Sequence, residues 1–283
     1  MTLNQISRFN NNLTHMTLPF NKYQGTGNDF IIIDNRKGIF NPANNDLVKY
    51  LCDRRFGIGA DGFILITTAQ GYDYRMIYYN SDGNESSMCG NGGRCAAAFA
   101  IRHEIASKSQ KFITSDGLHE AVEEAGIIRL KMNDVTGFQL IDDHYFINTG
   151  SPHYVVFRKD VMKMDVRNRG KEIRWSNKFA PGGTNVNFAE ISDTGIFVRT
   201  FERGVEDETL SCGTGVTAAA IASVLRGYFK AGKINIETPG GKLSVEFNRD
   251  EDKITDVWLC GPATFVFEGT IVLEDKRQKI KVV

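Results

Sequence analysis

Two cysteines of this sequence stand in almost the same local context, 123 positions apart. One opens Cys89-Gly90-Asn91-Gly92, the other opens Cys212-Gly213-Thr214-Gly215, and an Ala-Ala-Ala run follows each of them. The Ala-rich stretches Cys95–Ile105 and Thr217–Tyr228 have the composition and length of buried helices. Each cysteine is therefore predicted to lie in a glycine-rich turn that leads into a helix.

A cysteine in that position suits proton transfer. The first N–H groups of a helix lack internal partners and carry partial positive charge, which favours a thiolate. We therefore expect the pKa of Cys89 and of Cys212 to lie below the ordinary value of about 8.5. If duplication brings the turns face to face, one thiolate removes the proton of an α-carbon and the other thiol protonates its opposite face. The outcome is inversion of configuration, with helix N–H groups stabilising the developing negative charge.

Other interpretations of the cysteines are less favoured, although a single cysteine in a glycine-rich turn is more often structural. No metal site is predicted, because Cys89 and Cys95 are six residues apart and neither has a C-x-x-C partner. No cofactor is predicted either. The turns at residues 25–27 and 90–93 lack the Gly-Lys-Ser/Thr ending of a phosphate-binding loop, and nothing indicates pyridoxal phosphate. The remaining cysteines are interpreted as buried or incidental: Cys52, Cys95 and Cys260.

The rest of the chain consists of short β-branched or aromatic runs separated by Gly, Asn and Asp, as in strands and turns. Two further segments repeat. Phe30–Ile33 matches Tyr154–Phe157, and residues 114–117 match residues 238–241, both at an offset of 124. Three matches in one order predict a duplicated α/β unit, with two pseudo-symmetric domains and a cleft between them. Chance similarity of glycine-rich turns is the alternative.

The repeat suggests boundaries for the parts of the chain. Residues 1–16 are polar and Asn-rich, without the apolar core of a secretory signal, and are expected to form a poorly ordered extension, with Met16 as an alternative start. One lobe is predicted to comprise residues 17–131 together with 264–283, and the other residues 132–263. The final segment alternates apolar and polar residues like a strand, so it could return to the first half.

Charge and composition exclude several classes of function. The chain has 283 residues with 34 Lys+Arg and 34 Asp+Glu, so no nucleic-acid or anionic-membrane partner is expected. Its longest apolar runs, such as Phe30–Ile33, are far too short to span a bilayer. Five cysteines, an odd number, do not suggest a disulfide framework. A reducing, cytoplasmic compartment is therefore expected.

From about Thr17 to Leu273 the sequence resembles the diaminopimelate epimerase family. The motifs that carry the resemblance are specific in combination. They are GTGNDF at 25–30, RFGIGADG at 55–62, YNSDG at 79–83, MCGNGGRC at 88–95, GSPH at 150–153, GTNVN at 183–187, FERG at 201–204 and ETLSCGTG at 208–215.

The resemblance implies a cofactor-independent isomerase that interconverts LL- and meso-diaminopimelate, a small-molecule substrate, in lysine and peptidoglycan-precursor biosynthesis. It implies a homodimer with an α/β (α+β) fold of two pseudo-symmetric lobes, each a mostly antiparallel sheet wrapped around a central helix. Cys89 and Cys212 match the base and the acid, and His153 and Glu202 match positions that support catalysis. Substrate-binding roles are implied for Asn28, Asn80, Gly90, Asn91, Ser151, Asn185, Glu202, Arg203, Gly213 and Thr214.

The implied substrate contacts also have physical reasons. Arg203 can bind a carboxylate bidentately, Glu202 can hold an ammonium group, and asparagine side chains offer both a donor and an acceptor. Two positions depart from the family pattern. Gly62 stands where some members carry Gln, and Ser151 where some carry Asn. Recognition of the distal end of the substrate is therefore expected to differ, or to be completed by water.

Three other functions remain open at this stage. A proline or hydroxyproline racemase would share the two cysteines but would not need Arg203 or the paired asparagines. A thiol hydrolase or transferase would use one cysteine, with His153 as base, through a covalent acyl intermediate. A non-catalytic binding module would need neither thiol, and two poised thiols are a liability to oxidation.

Overall fold

The structure, a computed structural model, describes residues 15–274 and 280–282, with side chains from 17 to 272. Most of the predicted extension at residues 1–16 lies outside the described residues, and His15 and Met16 open the first strand. The described residues form nineteen strands and four α-helices. The molecule is therefore dominated by sheet, as the short β-branched runs predict.

The first half contains eight strands and two α-helices. Its strands are β1 (His15–Gly25), β2 (Asn28–Asp34), β3 (Gly62–Thr67), β4 (Tyr74–Asn80), β5 (Glu85–Ser86), β6 (Ser109–Thr114), β7 (Gly117–Glu124) and β8 (Ile127–Lys131). Its helices are α1 (Asn45–Cys52) and α2 (Gly90–Arg102).

The second half repeats this content and adds three strands. Its strands are β9 (Phe138–Ile141), β10 (His144–Asn148), β11 (Pro152–Phe157), β12 (Asn185–Ser192), β13 (Gly195–Glu202), β14 (Asp207–Thr209), β15 (Gly232–Thr238), β16 (Gly241–Asp250), β17 (Lys253–Gly261), β18 (Thr264–Glu274) and β19 (Ile280–Val282). Its helices are α3 (Val166–Arg174) and α4 (Gly213–Leu225), with short 3₁₀ turns at Val161–Lys163 and Asn177–Phe179.

Both halves connect their strands in the same way, which confirms the predicted duplication. In the first half, β1 and β2 are antiparallel, β2 and β3 parallel, β3 and β4 antiparallel, and β4 and β6 parallel. The series β10, β11, β12, β13 and β15 repeats that sequence of pairings. The halves join where β8 pairs with β17, and the late strand β18 pairs with β1.

Each sheet curls around one helix, and a second helix covers its outer face. Helix α2 packs on the inner face of β1, β2 and β3, and α4 packs on that of β11, β12 and β13. The residues of α4 are apolar on nearly every side, as expected of a helix enclosed by a sheet. Side chains from both inner faces belong to one buried cluster, while α1 and α3 each cover a separate outer cluster. Both central helices are thereby held in fixed positions.

The predicted alignment of the two repeated strands is wrong by one residue, as the directions of their side chains show. Phe30 packs in the inner cluster, whereas Tyr154, its predicted equivalent, packs in the outer cluster under α3. Neighbouring residues of a strand point to opposite faces, so a one-residue slip exchanges inside and outside. The equivalent of Phe30 is therefore His153, at an offset of 123, which is also the offset of the two cysteines.

Candidate active site

The two predicted cysteine turns meet in the middle of the molecule. Cys89 is the N-cap of α2 and Cys212 the N-cap of α4, both with extended backbone. The helices begin at the next residue, several positions earlier than the sequence suggests, so the glycines form their first turns. A Cβ atom built on Gly90 would lie 3.7 Å from the Gly213 Cα, and one on Gly213 would lie 3.5 Å from the Gly90 Cα. The two helix starts are therefore adjacent, and the tighter contact of either Cβ atom would be with Leu259 Cδ2, at 3.0 Å for Gly90 and 2.9 Å for Gly213.

Asn91 links the two turns through its side chain. Its Nδ2 donates a hydrogen bond to the Ser211 carbonyl at 3.0 Å, and it also lies 3.4 Å from Asn28 Oδ1. The side chain is buried, and Ser211 is the residue just before the second cysteine. Buried amides of this kind fix the relative position of the groups they join. The sequence predicts Asn91 as a substrate contact, and the structure places its side chain between the cysteine turns.

On the first side of the cleft, the Cys89 thiol is next to Asn28. Cys89 Sγ lies 3.6 Å from Asn28 Oδ1, to which a protonated thiol donates. The two-residue turn Thr26-Gly27, with φ of 51° and 85°, delivers Asn28 to this point, and glycine tolerates that conformation best. Asn28 Nδ2 in turn donates to Asp61 Oδ2 at 2.7 Å, which directs Oδ1 toward the cysteine.

On the second side, a chain of polar groups ends at Cys212. The Thr214 hydroxyl oxygen lies 3.5 Å from Cys212 Sγ and 2.8 Å from His153 Nε2. On the far side of the imidazole, Asn187 Nδ2 donates to Nδ1 at 3.0 Å, and Asn187 Oδ1 accepts from the Thr200 hydroxyl at 2.9 Å. These partners fix the orientation of the amide and therefore the tautomer of the ring.

His153 is neutral in this arrangement. Complete burial lowers the pKa of His153 to about 3, and the Arg203 guanidinium contributes in the same direction. Because Asn187 occupies Nδ1, the ring proton is on Nε2 and is donated to the Thr214 oxygen. The hydroxyl hydrogen of Thr214 is then free to point at Cys212. His153 accordingly has no vacant lone pair with which to act as a base.

The expected low thiol pKa values are not found. Burial raises the pKa of Cys89; the N–H groups of Gly92 and Asn91 act against this, and the Glu202 carboxylate adds to it. Burial also raises the pKa of Cys212, again with Glu202 as a contributor. The helix N-terminus therefore acts in the predicted direction, but removal from water and a nearby negative charge outweigh it. The prediction of lowered thiol pKa values was wrong.

Glu202 stands at the end of β13 beside Cys212. Burial raises the pKa of its carboxyl; the Thr209 hydroxyl opposes this effect and the Asp61 carboxylate adds to it. The carboxylate is half-buried, without a basic side chain paired to it among the described residues. A half-buried carboxylate with no paired cation is an acceptor for a positively charged ligand.

A second group of predicted residues gathers at the edge of the cleft. Asn185 Nδ2 donates to Ser151 Oγ at 2.8 Å, and Asn185 Oδ1 accepts from the Arg203 backbone N–H at 2.8 Å. The Arg203 guanidinium is 3.5 Å from Ser151 Oγ and is largely exposed. Asn80, at the end of β4, is also exposed. The structure therefore brings Ser151, Asn185 and Arg203 together, with Asn185 orienting its neighbours.

Comparison with known proteins decides the family. The diaminopimelate epimerase profile matches residues 20–135 and 145–266. The chain is 53% identical over 252 residues to the diaminopimelate epimerase of Flavobacterium psychrophilum, covering 88% of this chain and 98% of that protein. It is 43% identical over 261 residues to that of Chlorobaculum tepidum, covering 88% and 99%.

The chain belongs to the diaminopimelate epimerase family.

Solved structures show that the fold is more widespread than this family. A PhzF-family phenazine biosynthesis protein of Bacillus anthracis aligns with a TM-score of 0.71 at 17% identity, covering 90% of this chain and 99% of that one. A hydroxyproline epimerase of Agrobacterium vitis, solved with trans-4-hydroxy-L-proline, aligns with a TM-score of 0.67 at 13% identity, covering 95% and 96%. At such identities the match concerns the fold alone. It agrees with the predicted mixed α/β fold of two similar lobes.

Two residues near the active site of this diaminopimelate epimerase family member, Asn187 and Arg94, were not predicted from the sequence to have a role there. Asn187 orients His153, yet it was noted only as part of a motif. Arg94 is completely buried and bonds to neutral groups, among them Asn91 Oδ1 at 3.0 Å, with no carboxylate partner in the described part of the chain. A usable signal was available: an arginine between the glycines and the alanines of a helix predicted to be buried is unusual, because buried charge is costly.

Cys52, Cys95 and Cys260 are buried and unpaired, as interpreted from sequence. None of the helices in the described part of the chain has the length and hydropathy needed to span a bilayer.

Proposed function

We propose that this protein is a diaminopimelate epimerase that interconverts the LL and meso forms through Cys89 and Cys212, without a cofactor. The observation that carries the proposal is the contact between the two helix starts, Gly90 against Gly213, which brings both cysteine turns to one cleft. The relatives that cover most of the chain, and that carry this name, support the choice of substrate.

The substrate carboxylate of the reacting centre is proposed to bind the free N–H groups at the starts of α2 and α4. Gly90, Asn91, Gly213 and Thr214 supply those groups, and the two helix dipoles add in the same region. As the α-proton leaves, negative charge spreads onto this carboxylate, where the fixed N–H groups stabilise it. The α-carbon then lies between the two sulfur atoms.

One turnover exchanges protons between the two sulfurs. The Cys89 thiolate takes the α-proton from one face, and the Cys212 thiol gives its proton to the other face. Cys89 ends as a thiol and can donate to Asn28 Oδ1, while Cys212 ends as a thiolate and accepts from the Thr214 hydroxyl. The reverse reaction begins from that product state. Each sulfur thus has a partner suited to the state in which it finishes.

Cys89 is proposed as the sulfur that ionises more readily in the absence of substrate. The buried Arg94 guanidinium lowers its pKa together with the helix N–H groups, whereas Glu202 stands directly beside Cys212. A carboxylate in contact with a thiol disfavours a second negative charge.

Substrate itself completes the activation. Before binding, Glu202 raises the pKa of both thiols. An ammonium group placed beside Glu202 would cancel that charge, so the thiols become more acidic once substrate has entered. Arg203 and Ser151, at the cleft edge, are proposed to bind the distal carboxylate, with Asn80 and the oriented Asn185 nearby.

Assembly, location and domain division are further parts of the proposal. A homodimer is proposed because the family resemblance implies one. A cytoplasmic location is proposed from the five free cysteines, which a reducing compartment would maintain. The division into lobes at residues 17–131 with 264–283, and 132–263, is proposed with the pairing of β18 and β1 as its support.

The test is an epimerisation assay on purified, chelator-treated protein. The protein should convert LL-diaminopimelate to an equilibrium mixture of the LL and meso forms. In deuterated solvent, deuterium should be incorporated at the carbon that is inverted. Proline and hydroxyproline should remain unchanged. Racemisation of proline without action on diaminopimelate would replace the proposal by its alternative. A burst of covalent acyl-enzyme would instead indicate a thiol hydrolase.

A further inference from the structure

The inner face of the first sheet carries the residues that line the cleft near Cys89. Pairing sets Phe30 opposite Gly62 and Gly62 opposite Asn80, so these three positions of β2, β3 and β4 form one row across the sheet. The equivalent row of the second half includes His153 opposite Asn185. Where the second half has the Asn185 amide, the first half therefore has only the hydrogen atom of Gly62.

Tyr78 fills the space that Gly62 leaves open. It precedes Asn80 by two residues and so points to the same face of β4, toward the cleft. A Cβ atom built on Gly62 would lie 2.6 Å from Tyr78 Cε2 and 3.0 Å from its hydroxyl oxygen. The ring also packs edge-on against Phe30, with centroids 6.2 Å apart. Any residue larger than glycine at position 62 would displace the ring.

The Tyr78 hydroxyl has no hydrogen-bond partner among the described residues, although the side chain is only 8% exposed. The two other tyrosines of β4 each have a hydrogen-bond partner. Tyr74 donates to Gln110 Oε1 at 2.8 Å, and Tyr79 donates to the Pro42 carbonyl at 2.8 Å. A buried tyrosine usually has a partner for its hydroxyl. The Tyr78 hydroxyl is not one of the fully buried unpartnered atoms of the described residues, so it retains some access to solvent and a ligand in the cleft can bind it.

The surroundings of this hydroxyl favour a cation. Burial raises the pKa of Tyr78, and the nearby groups that reinforce the effect are Cys89, Glu202 and Asp61, so the phenol stays neutral. Asn28 belongs to the same group, since its amide binds Asp61 and its Oδ1 faces Cys89. The oxygens of Tyr78, Asn28 and Glu202 can accept hydrogen bonds. The Asp61 carboxylate is paired with Arg54, whose guanidinium lies 2.6 Å from Asp61 Oδ1, so the unpaired negative charge at this place is that of Glu202. That charge disfavours an incoming carboxylate and favours an ammonium group.

We infer that Tyr78 is a substrate-binding residue, whose hydroxyl accepts a hydrogen bond from the ammonium group on the reacting carbon. The inference rests on the proposed function. It places the Tyr78–Gly62 pair at the reacting end of the substrate, whereas the sequence comparison connected position 62 with the distal end. The Tyr78 phenol and the Glu202 carboxylate act together, so the α-ammonium lies near Cys89 and Glu202.

The test is the Tyr78→Phe variant, which keeps the ring and removes only the hydroxyl. KM for LL-diaminopimelate should rise about ten- to a hundredfold, as for loss of a hydrogen bond to a charged group, with a smaller change in kcat. Its Tm should not fall, because no bond within the protein is lost. The matched control is Tyr79→Phe, which loses its bond to Pro42. That variant should have a lower Tm and an unchanged KM.

A second pair of variants tests whether an amide can replace the phenol. Tyr78→Leu should raise KM, and adding Gly62→Gln to it should recover much of the loss by placing an amide in the vacated space. If the wild type epimerises diaminopimelate but Tyr78→Phe has a KM within twofold of it, the assignment of Tyr78 is wrong. If the wild type does not act on diaminopimelate, the proposed function itself fails, which is a different result.

Discussion

His153 Nε2 lies 2.8 Å from the hydroxyl oxygen of Thr214, next to the second cysteine. At the equivalent point of the first half stands Phe30, which cannot form such a bond. The duplicated unit thus presents two cysteines with similar backbones and different polar partners: Asn28 for Cys89 and Thr214 for Cys212. Symmetry of the fold places the sulfurs, and asymmetry of the neighbours distinguishes their chemistry.

Loss of either thiol should abolish epimerisation. Cys89→Ala and Cys212→Ala each remove one of the two groups that exchange protons with the α-carbon, so net inversion should fall below detection. The measurement is conversion of LL-diaminopimelate and deuterium uptake from solvent. Cys52→Ala, which changes a buried thiol at the last residue of α1, is the control and should remain active. Near-normal activity of either cleft variant would contradict the two-thiol mechanism.

Removing the charge of Glu202 should lower the pKa of both thiols and weaken the binding of diaminopimelate. The Glu202 carboxylate raises the pKa of Cys89 and of Cys212, so Glu202→Gln should lower both. Alkylation by iodoacetamide, followed against pH, should then begin at lower pH than in the wild type. Affinity for diaminopimelate should fall, because the ammonium loses its counter-charge. An unshifted alkylation profile would show that Glu202 does not control the thiols.

The neutral state of His153 should make the protein sensitive to acid. Burial lowers the pKa of His153 to about 3 when folded, whereas in the unfolded chain it is about 6.5. The unfolded state therefore binds one more proton between these values. Stability from this group is complete above about pH 6.5 and declines as the pH falls, by about 1.4 kcal/mol per pH unit.

His153→Gln provides the comparison for that prediction. Glutamine does not titrate, so the free energy of unfolding of the variant should fall less steeply between pH 6.5 and pH 4.5. Urea unfolding at several pH values measures both slopes. Parallel curves for the variant and the wild type would mean that His153 is not held neutral in the fold.

Gly215→Ala should disrupt the hydrogen bonds that link Asn187, His153 and Thr214 to Cys212. A Cβ atom on Gly215 would lie 2.4 Å from Asn187 Oδ1, so the amide that orients His153 must move. We expect kcat to fall about tenfold or more and stability to fall by about 1–3 kcal/mol. Gly137→Ala is the matched control, since none of the described residues has an atom within 4 Å of its Cβ position, chain neighbours aside. It should leave both quantities nearly unchanged, and equal behaviour of the two variants would contradict the prediction.

Several features of the site follow from local sequence and were predicted from it. The cysteines are helix N-caps because a glycine-rich turn leads into an Ala-rich run, a pattern that depends on neighbouring residues only. The duplication is visible because both copies kept the cysteine turns in the same order. The strand alignment failed by one residue because apolar runs such as Phe30–Ile33 are buried on both faces, so their composition does not show which side is inside.

The pKa values of the two thiols could not be predicted from the sequence. The effect of a helix N-terminus can be read from sequence, but the depth of burial and the approach of Glu202 cannot, and these determine the sign of the shift. Sequence alone determined the family, the pair of cysteines and the helices that hold them. Only the tertiary structure decided that the helices meet at Gly90 and Gly213, that Thr214 joins His153 to Cys212, and that Tyr78 covers Gly62. These contacts join residues distant in the chain, so they depend on how the two sheets curl around their helices and not on any local pattern.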